Sequence, residues 1–428
     1  MMNAKHAFFD FVETATTPYH CAKAGIDLLR NAGFSVLDAA EDWRLVPGGK
    51  YAVVFQDLYL FAFTVGSKWT KGSGYRMAVS HGDSPCFRVK ASSCKKQGQY
   101  VFLNTEAYGG ANLSSWTDRP LSVAGRVALR SDDPMQPKME LVDLRRPVAL
   151  IPDVAVHLMA EHSEAKQKKS VKLPLMTVGC SEPMEEDYLR SRLAKELDVS
   201  AEDILDYELY VYHCAPCAVV GMEQELVSGP RLDNLTSVYA VLRALADGTR
   251  DNGVNVSIVF DGEEIGSRTK GGAFSAVTEV FMKKLYLALG LSEEEYLGEM
   301  LRGMLLSCDV AHAYHPMFAS VYDDKNACYP NGGVCIKRSA SQSYATDSAM
   351  GAMIRQICES KGIPCQRFAN HTDVRGGSTL ANMVACLLGV KAADIGLALF
   401  AMHSAMETMG AEDEQHFVNF LTAFMSAE

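Results

Sequence analysis

From residue 218 onward the chain switches repeatedly between helix-period and strand-period apolar patterns. "NLTSVYAVLRALAD" places apolar residues at helical spacing, "NVSIVFDGEE" opens with a compact apolar run, and "AFSAVTEVFMKKLYLALG" returns to helix. "MLLSCDVAHAY", "PCQRFAN" and "AADIGLALFAMHS" read as strands, and "YATDSAMGAMIRQICESKG", "TLANMVACLLG" and "EDEQHFVNFLTAFMSA" as helices. Strands alternating with helices predict a mostly parallel sheet covered on both faces. The first 90 or so residues fit the same layout, with a helix over about 19–32 that Gly33 would cap. The strand-like runs "YAVVFQDLYLFAFTVG" and "YRMAVSHGD" follow it.

Residues 95–217 break the alternation. "PLSVAGRVALRS" and "KMELVDLRRPVALIP" look like short strands around the polar turn "SDDPMQPK", and "EHSEAKQKKSVKLP" is a lysine-rich loop. "PMEEDYLRSRLAKELDVSAEDILD" supplies a helix and then a capping-box-like start at Ser200, with Asp203 three residues on. The expected organisation is therefore one discontinuous α/β domain, residues 1–94 and 218–428, interrupted by a β-rich domain at 95–217. No internal repeat or low-complexity tract stands out.

Composition narrows the class. The chain has 428 residues, 48% hydrophobic and 22% charged, the mix of an ordinary globular protein with more than one domain. Its net charge of −11 and isoelectric point near 5.5 argue against nucleic acid or an anionic membrane as partner. No run approaches 18 uninterrupted apolar residues. The start, "MMNAKHAFFDFVETATTPYHCAKAG", reads as an amphipathic helix without an apolar segment and cleavage site, so the expected location is cytoplasmic. Twelve cysteines lie scattered without framework spacing, as free thiols in a reducing compartment would. Cys214 and Cys217 in "YHCAPCAVVG" follow a strand-like run rather than opening a helix, and no second C-x-x-C completes a zinc set. A structural role is expected for them, with a redox role as the alternative.

In open α/β sheets, sites form beyond the carboxyl ends of the strands. Those ends carry His81 and Asp83, then Asp261, Glu263 and Glu264, then Asp309 and His312, then His403, with Asp233 opening a helix. The sequence offers these acids no lysine or arginine partner, so a convergent cluster would repel itself unless divalent cations filled it. Imidazole with carboxylate suits zinc, cobalt or manganese. Two histidines and several carboxylates exceed one tetrahedral zinc and suit two ions sharing a bridging carboxylate. The adjacent glutamates of "IVFDGEEIGS" then divide the work, one as ligand and its neighbour taking a proton from an activated water.

The motifs "SHGDSPCFRVK", "DILDYELYVY", "SGPRLDNL", "FDGEEIGS", "SCDVAHAYHP", "KRSASQSYATD" and "AMHSAME", in order over nearly the whole chain, closely resemble the M18 family, the aspartyl aminopeptidases. The resemblance implies a zinc-exopeptidase-like α/β core with an inserted β-rich dimerisation domain. It implies that His81 and Asp309 hold one metal, Glu264 and His403 the other, and that Asp233 bridges. Glu263 would be the general base and Asp83 would orient His81. His157, in "IPDVAVHLMAEH", would reach a neighbouring subunit's site and stabilise the oxyanion, with metal ligation as the alternative. Lys337 would favour an acidic first side chain, with Tyr344 and His315 near the same pocket. The implied cofactors are two divalent ions, zinc or else cobalt or manganese, and the implied assembly is a homo-oligomer, commonly a tetrahedral dodecamer. The substrates would be peptides with a free N-terminus.

Two departures stand out. "HGDSP" has Gly82 where the family has threonine, which is expected to loosen the loop, and "DGEE" stands where "DNEE" is common. A literal H-T-D at His371–Asp373 falls too late in the order to be the first motif and is read as a surface loop; contact with substrate is the alternative. Three other functions share this scaffold: a neutral or broad aminopeptidase, a deacylase or carboxypeptidase on the same metal core, and a non-enzymatic peptide binder. The six site positions His81, Asp233, Glu263, Glu264, Asp309 and His403 are all present, which disfavours the last.

Overall fold

The computed structural model describes residues 2–158, 168–178, 188–374 and 376–428. Its larger sheet runs in the order Ser35–Val36, Lys50–Phe55, Tyr59–Val65, Val254–Phe260, Tyr75–His81, Met304–Cys308, Lys391–Gly396, Val334–Lys337 and Cys365–Phe368. The central strands, Val254–Phe260 through Lys391–Gly396, are mutually parallel, as the alternation predicts. On either side, Tyr59–Val65 and Val334–Lys337 run antiparallel to them. The first of these reversals comes from within one apolar run: Gln56 and Asp57 take positive φ (54° and 60°) and fold "YAVVFQDLYLFAFTV" into a hairpin.

Every residue of Val254–Phe260 is buried, because helices cover both faces of the sheet. One face packs against Pro18–Asn31, Leu232–Asp247, Ser348–Lys361 and Asp413–Ser426, and the other against Val277–Ala288, Glu293–Arg302 and Leu380–Leu388. The helix Glu293–Arg302 escapes the sequence pattern, although Ser292 and Glu295 form a complete capping box at its start. The helix expected over 19–32 spans Pro18–Asn31. Thr17 caps its start, and Gly33 follows at φ 87°.

A second sheet of six antiparallel strands has the order Lys138–Asp143, Leu121–Leu129, Ile204–His213, Cys86–Gln97, Tyr100–Tyr108 and Leu175–Val178. Its strand Cys86–Gln97 runs straight across residue 95. Helix Tyr188–Leu197 closes its core. The capping feature at Ser200 opens only a single 3-10 turn, Ala201–Asp203, before the chain enters strand Ile204–His213. Glu208 ties this sheet to the α/β body: it accepts from Tyr19 Oη at 2.6 Å, Arg126 Nη2 at 2.6 Å and Arg88 Nη2 at 2.8 Å.

A third sheet orders Ala218–Val220, Leu226–Gly229, Glu407–Gly410, Ala398–Phe400 and Ala311–His312. "AADIGLALFAMHS" is therefore two strands, Lys391–Gly396 in the large sheet and Ala398–Phe400 in the small one. The crossing needs Gly396, since a Cβ there would stand 1.5 Å from the Asp309 carbonyl oxygen. That close approach sets the end of Met304–Cys308, and hence Asp309, beside the segment leading to His403.

Candidate metal centre

His81 ends a central strand and pairs in register with Phe260, so the loop carrying Asp261, Glu263 and Glu264 leaves the sheet at the same edge. Asp309 follows Cys308, the last residue of the next strand along. Asp233 enters from helix Leu232–Asp247, whose first turn departs from helical φ/ψ at Asp233 and Asn234. Asn234 Nδ2 donates to the Cys308 carbonyl at 2.9 Å and Ser84 Oγ donates to the Asp233 carbonyl at 2.8 Å, which pins this turn over the strand ends.

These elements bring His81, Asp233 and Asp309 together on one side, and Asp233, Glu264 and His403 on the other. His81 Nε2 lies 3.5 Å from Asp233 Oδ1 and 3.7 Å from Asp309 Oδ1. His403 Nε2 lies 3.4 Å from Asp233 Oδ2 and 3.4 Å from Glu264 Oε2. Asp233 thus turns one carboxylate oxygen to each histidine. Both imidazoles have Nδ1 engaged elsewhere, His81 with the Asp83 carbonyl at 3.1 Å and His403 with the Gly110 carbonyl at 3.2 Å. Donation from Nδ1 leaves each Nε2 lone pair facing the acids, the tautomer a metal requires. Asp233 Oδ1 and Glu264 Oε1 are buried without a hydrogen-bond partner among the described residues. Nitrogen donors, orphaned carboxylate oxygens and packed acids fit divalent cations such as zinc. Glu263 also groups with His81 and Glu264, its Oε2 4.0 Å from His81 Nε2.

Asp83 does more than orient His81. Its carboxylate accepts the backbone N–H of Glu263 at 3.2 Å, that of Glu264 at 3.1 Å and the Tyr108 hydroxyl at 2.8 Å. It therefore fixes the loop that carries both glutamates. Tyr108 and Gly110 come from the six-stranded-sheet region, and the hydrophobic pattern does not mark either as part of the site. The only visible cue is an aromatic residue followed by two glycines.

Lys337 corrects the expectation that the acids have no basic partner. It ends strand Val334–Lys337, is 2% exposed, and places Nζ 3.9 Å from Asp309 Oδ2 and 5.5 Å from the centre of the Tyr344 ring. Tyr344 is buried against Phe368. His315 stacks edge-on with Phe318 and Phe400. His157 is exposed on the turn Val156–Leu158, outside the groups that gather around Asp233. His371 accepts from the Asp373 amide in the loop beyond strand Cys365–Phe368. Cys214 Sγ donates to the Pro120 carbonyl and Cys217 lies against Gly229; both are free thiols.

A family model described as "Aminopeptidase I zinc metalloprotease (M18)" matches residues 11–425. The chain belongs to the M18 family. A probable M18 family aminopeptidase 2 of Clostridium novyi is 34% identical over 418 residues, 97% of this chain and 96% of that one. A chain in the cryo-EM structure of the Ape4 and Nbr1 complex superimposes with a TM-score of 0.93 at 30% identity, covering 98% of this chain and 84% of that one. The chain of the S. cerevisiae mApe1 dodecamer shares the fold, with a TM-score of 0.85 at 24% identity over 97% and 95% of the two chains. This M18 chain is a metallo-aminopeptidase, an exopeptidase dependent on a divalent metal. None of its described helices is long and apolar enough to cross a membrane.

The two departures from the M18 pattern have physical reasons. Gly262 takes φ 74°, a left-handed conformation that glycine and asparagine both tolerate, so "DGEE" and "DNEE" satisfy the same turn. Gly82 does not loosen its loop. A Cβ there would stand 2.7 Å from Cys21 Sγ and 3.1 Å from Val259 Cγ1, so Cys21 fills the space a larger residue would use. Gly82→Ala is expected to destabilise the protein by about 1–3 kcal/mol, as overpacking does. The Cys21→Ala change should recover about half of that in the double variant, and thermal melts of the four proteins would measure the coupling. Additive losses would contradict this account.

The electrostatics follow from burial. Burial pushes the Glu263 carboxyl up to about 7; the Asp309, Asp83 and Asp233 carboxylates add to the shift and His81 opposes it. Burial, then Asp233, holds Glu264 well above the usual carboxylate range. Burial disfavours the His81 cation, but the nearby Asp309 and Asp83 carboxylates, with Glu263, outweigh it and raise the imidazole well above its ordinary value. Burial would likewise raise Asp309, yet Lys337 and His81 together hold it below its ordinary value. Without cations the cluster therefore keeps protons that metal binding must displace.

Proposed function

We propose that this M18 aminopeptidase works with two divalent ions, zinc foremost, held by His81 and Asp309 on one side and by Glu264 and His403 on the other, with Asp233 shared. The observation that carries this reading is the Asp233 carboxylate, which presents separate oxygens to the Nε2 atoms of two histidines whose Nδ1 atoms are engaged elsewhere. Divalent ions held by these residues would supply Lewis-acid activation of the scissile carbonyl and of the attacking water. Glu263, at the edge of the cluster with its side chain 15% exposed, accepts the proton of the attacking water and delivers it to the leaving amine. Asp83 holds that carboxylate in place through the Glu263 amide. His157 of a second copy is assigned to the oxyanion.

The substrates are peptides with a free N-terminus, with an acidic first residue preferred. Support for the preference is the buried Lys337 ammonium beside the cluster, backed by the aromatic wall of Tyr344; His315 is assigned to the same pocket on the family resemblance alone. A neutral or broad preference is the second reading, because Asp309 already faces the Lys337 charge at 3.9 Å. The six-stranded sheet is assigned to homo-oligomer formation, a tetrahedral dodecamer in the family's manner, and the mApe1 dodecamer on the same fold supports that.

Kinetics on Asp-, Glu- and Leu-initiated chromogenic peptides, with an N-acetylated control, test this reading. Acidic peptides are expected to lead in kcat/KM by about tenfold or more, the scale of one charge-assisted contact. A leucine preference would retain the mechanism and discard the acidic pocket. Turnover of the acetylated peptide alone would point to a deacylase.

A further inference from the structure

Glu407 is 2% exposed and sits beside an already acidic cluster, an expensive place for a carboxylate unless its oxygens are needed. It opens strand Glu407–Gly410 and pairs with Gly229, the last residue of Leu226–Gly229. Four residues beyond Gly229, the chain brings the Asp233 amide over the Glu407 side chain. Four residues before Glu407, His403 takes φ 66°, which turns its amide toward the same carboxylate. Glu407 Oε2 accepts from Asp233 N at 2.8 Å and Oε1 from His403 N at 2.7 Å. The two carboxylate oxygens give each amide an acceptor of its own.

We infer that Glu407 is a positioning residue that fixes the separation of Asp233 and His403, and through it the ion that this pair holds with Glu264. The inference rests on the two-ion reading above. Residues that orient ligands in this way typically tune metal affinity by about 10- to 100-fold.

The two amides are not equally protected. Asp233 is buried, and Ser84 also holds its carbonyl. The His403 side chain is 33% exposed, so water can reach that turn. In Glu407→Gln the single remaining oxygen goes to the buried Asp233 amide, and the new NH2 group abuts the amide of His403. The ion between Asp233, Glu264 and His403 weakens, while the one between His81, Asp233 and Asp309 keeps its affinity.

Zinc titration of metal-free wild type and Glu407→Gln against a chromophoric chelator reads both affinities without recourse to activity. Wild type should bind two ions per chain. The variant should weaken one by about 10- to 100-fold and leave the other within about twofold. His403→Ala should weaken the same ion, and adding Glu407→Gln to it should change little more. One ion in wild type would overturn the two-ion reading, and this inference with it. Two ions in both proteins with unchanged affinities, or equal weakening of both, would overturn this inference alone. If Glu407→Gln does not fold, Glu407→Asp serves. Its carboxylate, shorter by one methylene, reaches only one amide, so the same one-sided loss is expected and its absence overturns the inference.

Discussion

Glu263→Gln keeps its metal and loses about 10³-fold in kcat, with KM within about threefold of wild type. The substitution preserves shape, and the backbone N–H that anchors Glu263 to Asp83 at 3.2 Å is untouched. Only the capacity to accept a proton is removed, so a defect confined to kcat is the signature of a general base. Zinc content measured on the same sample makes the test sharper, because Glu263, His81 and Glu264 lie close enough to hold an ion together. If the variant loses an ion, Glu263 is a ligand and the base must be sought elsewhere.

Asp233→Asn is expected to lower activity by about 10⁴-fold, the scale of forfeiting Lewis-acid stabilisation worth several kcal/mol, because both ions lose their shared ligand. The same change should make the metal-free protein more stable. Asp233 adds to the burial that raises Glu264 and Glu407, so removing its charge relieves both. The pH dependence follows from the sign of these shifts. Glu263 stands at about 7 in the fold against an ordinary 4.5, so the folded state holds its proton more tightly than the unfolded chain does. Its contribution is full below about pH 4.5 and lost as pH rises through about 7, and the raised Glu264 and Glu407 act in the same direction. Urea melts of chelator-treated protein should show wild type weakening over that window and Asp233→Asn weakening less. A variant less stable than wild type at neutral pH would contradict the repulsion argument.

The strand-end rule carried most of the site. His81, Glu263, Glu264 and Asp309 sit where apolar strands run out, Asp233 opens its helix, and the structure draws them together. It said less about His403, which lies in a turn beyond Ala398–Phe400 and depends on Gly110 and Glu407 for its direction. That the acids have a basic partner in Lys337 stayed hidden because Val334–Lys337 is only four residues long and sits between glycines and a polar loop, too short for period to register. Its burial against Asp309 is a tertiary fact. Glu407 closes the motif "AMHSAME", but the apolar pattern gives it no role, and only the pairing with Gly229 turns it inward. The antiparallel flanks of the sheet depend on turns inside apolar runs, where hydrophobic spacing alone does not mark the reversal.

Anomalous diffraction at the zinc edge, from crystals grown with zinc, tests the central claim most directly. The account predicts two peaks per chain about 3.5–4 Å apart, one on each side of the Asp233 carboxylate, with His81 and Asp309 at one and Glu264 and His403 at the other. A single peak, or two that do not share Asp233, would contradict it.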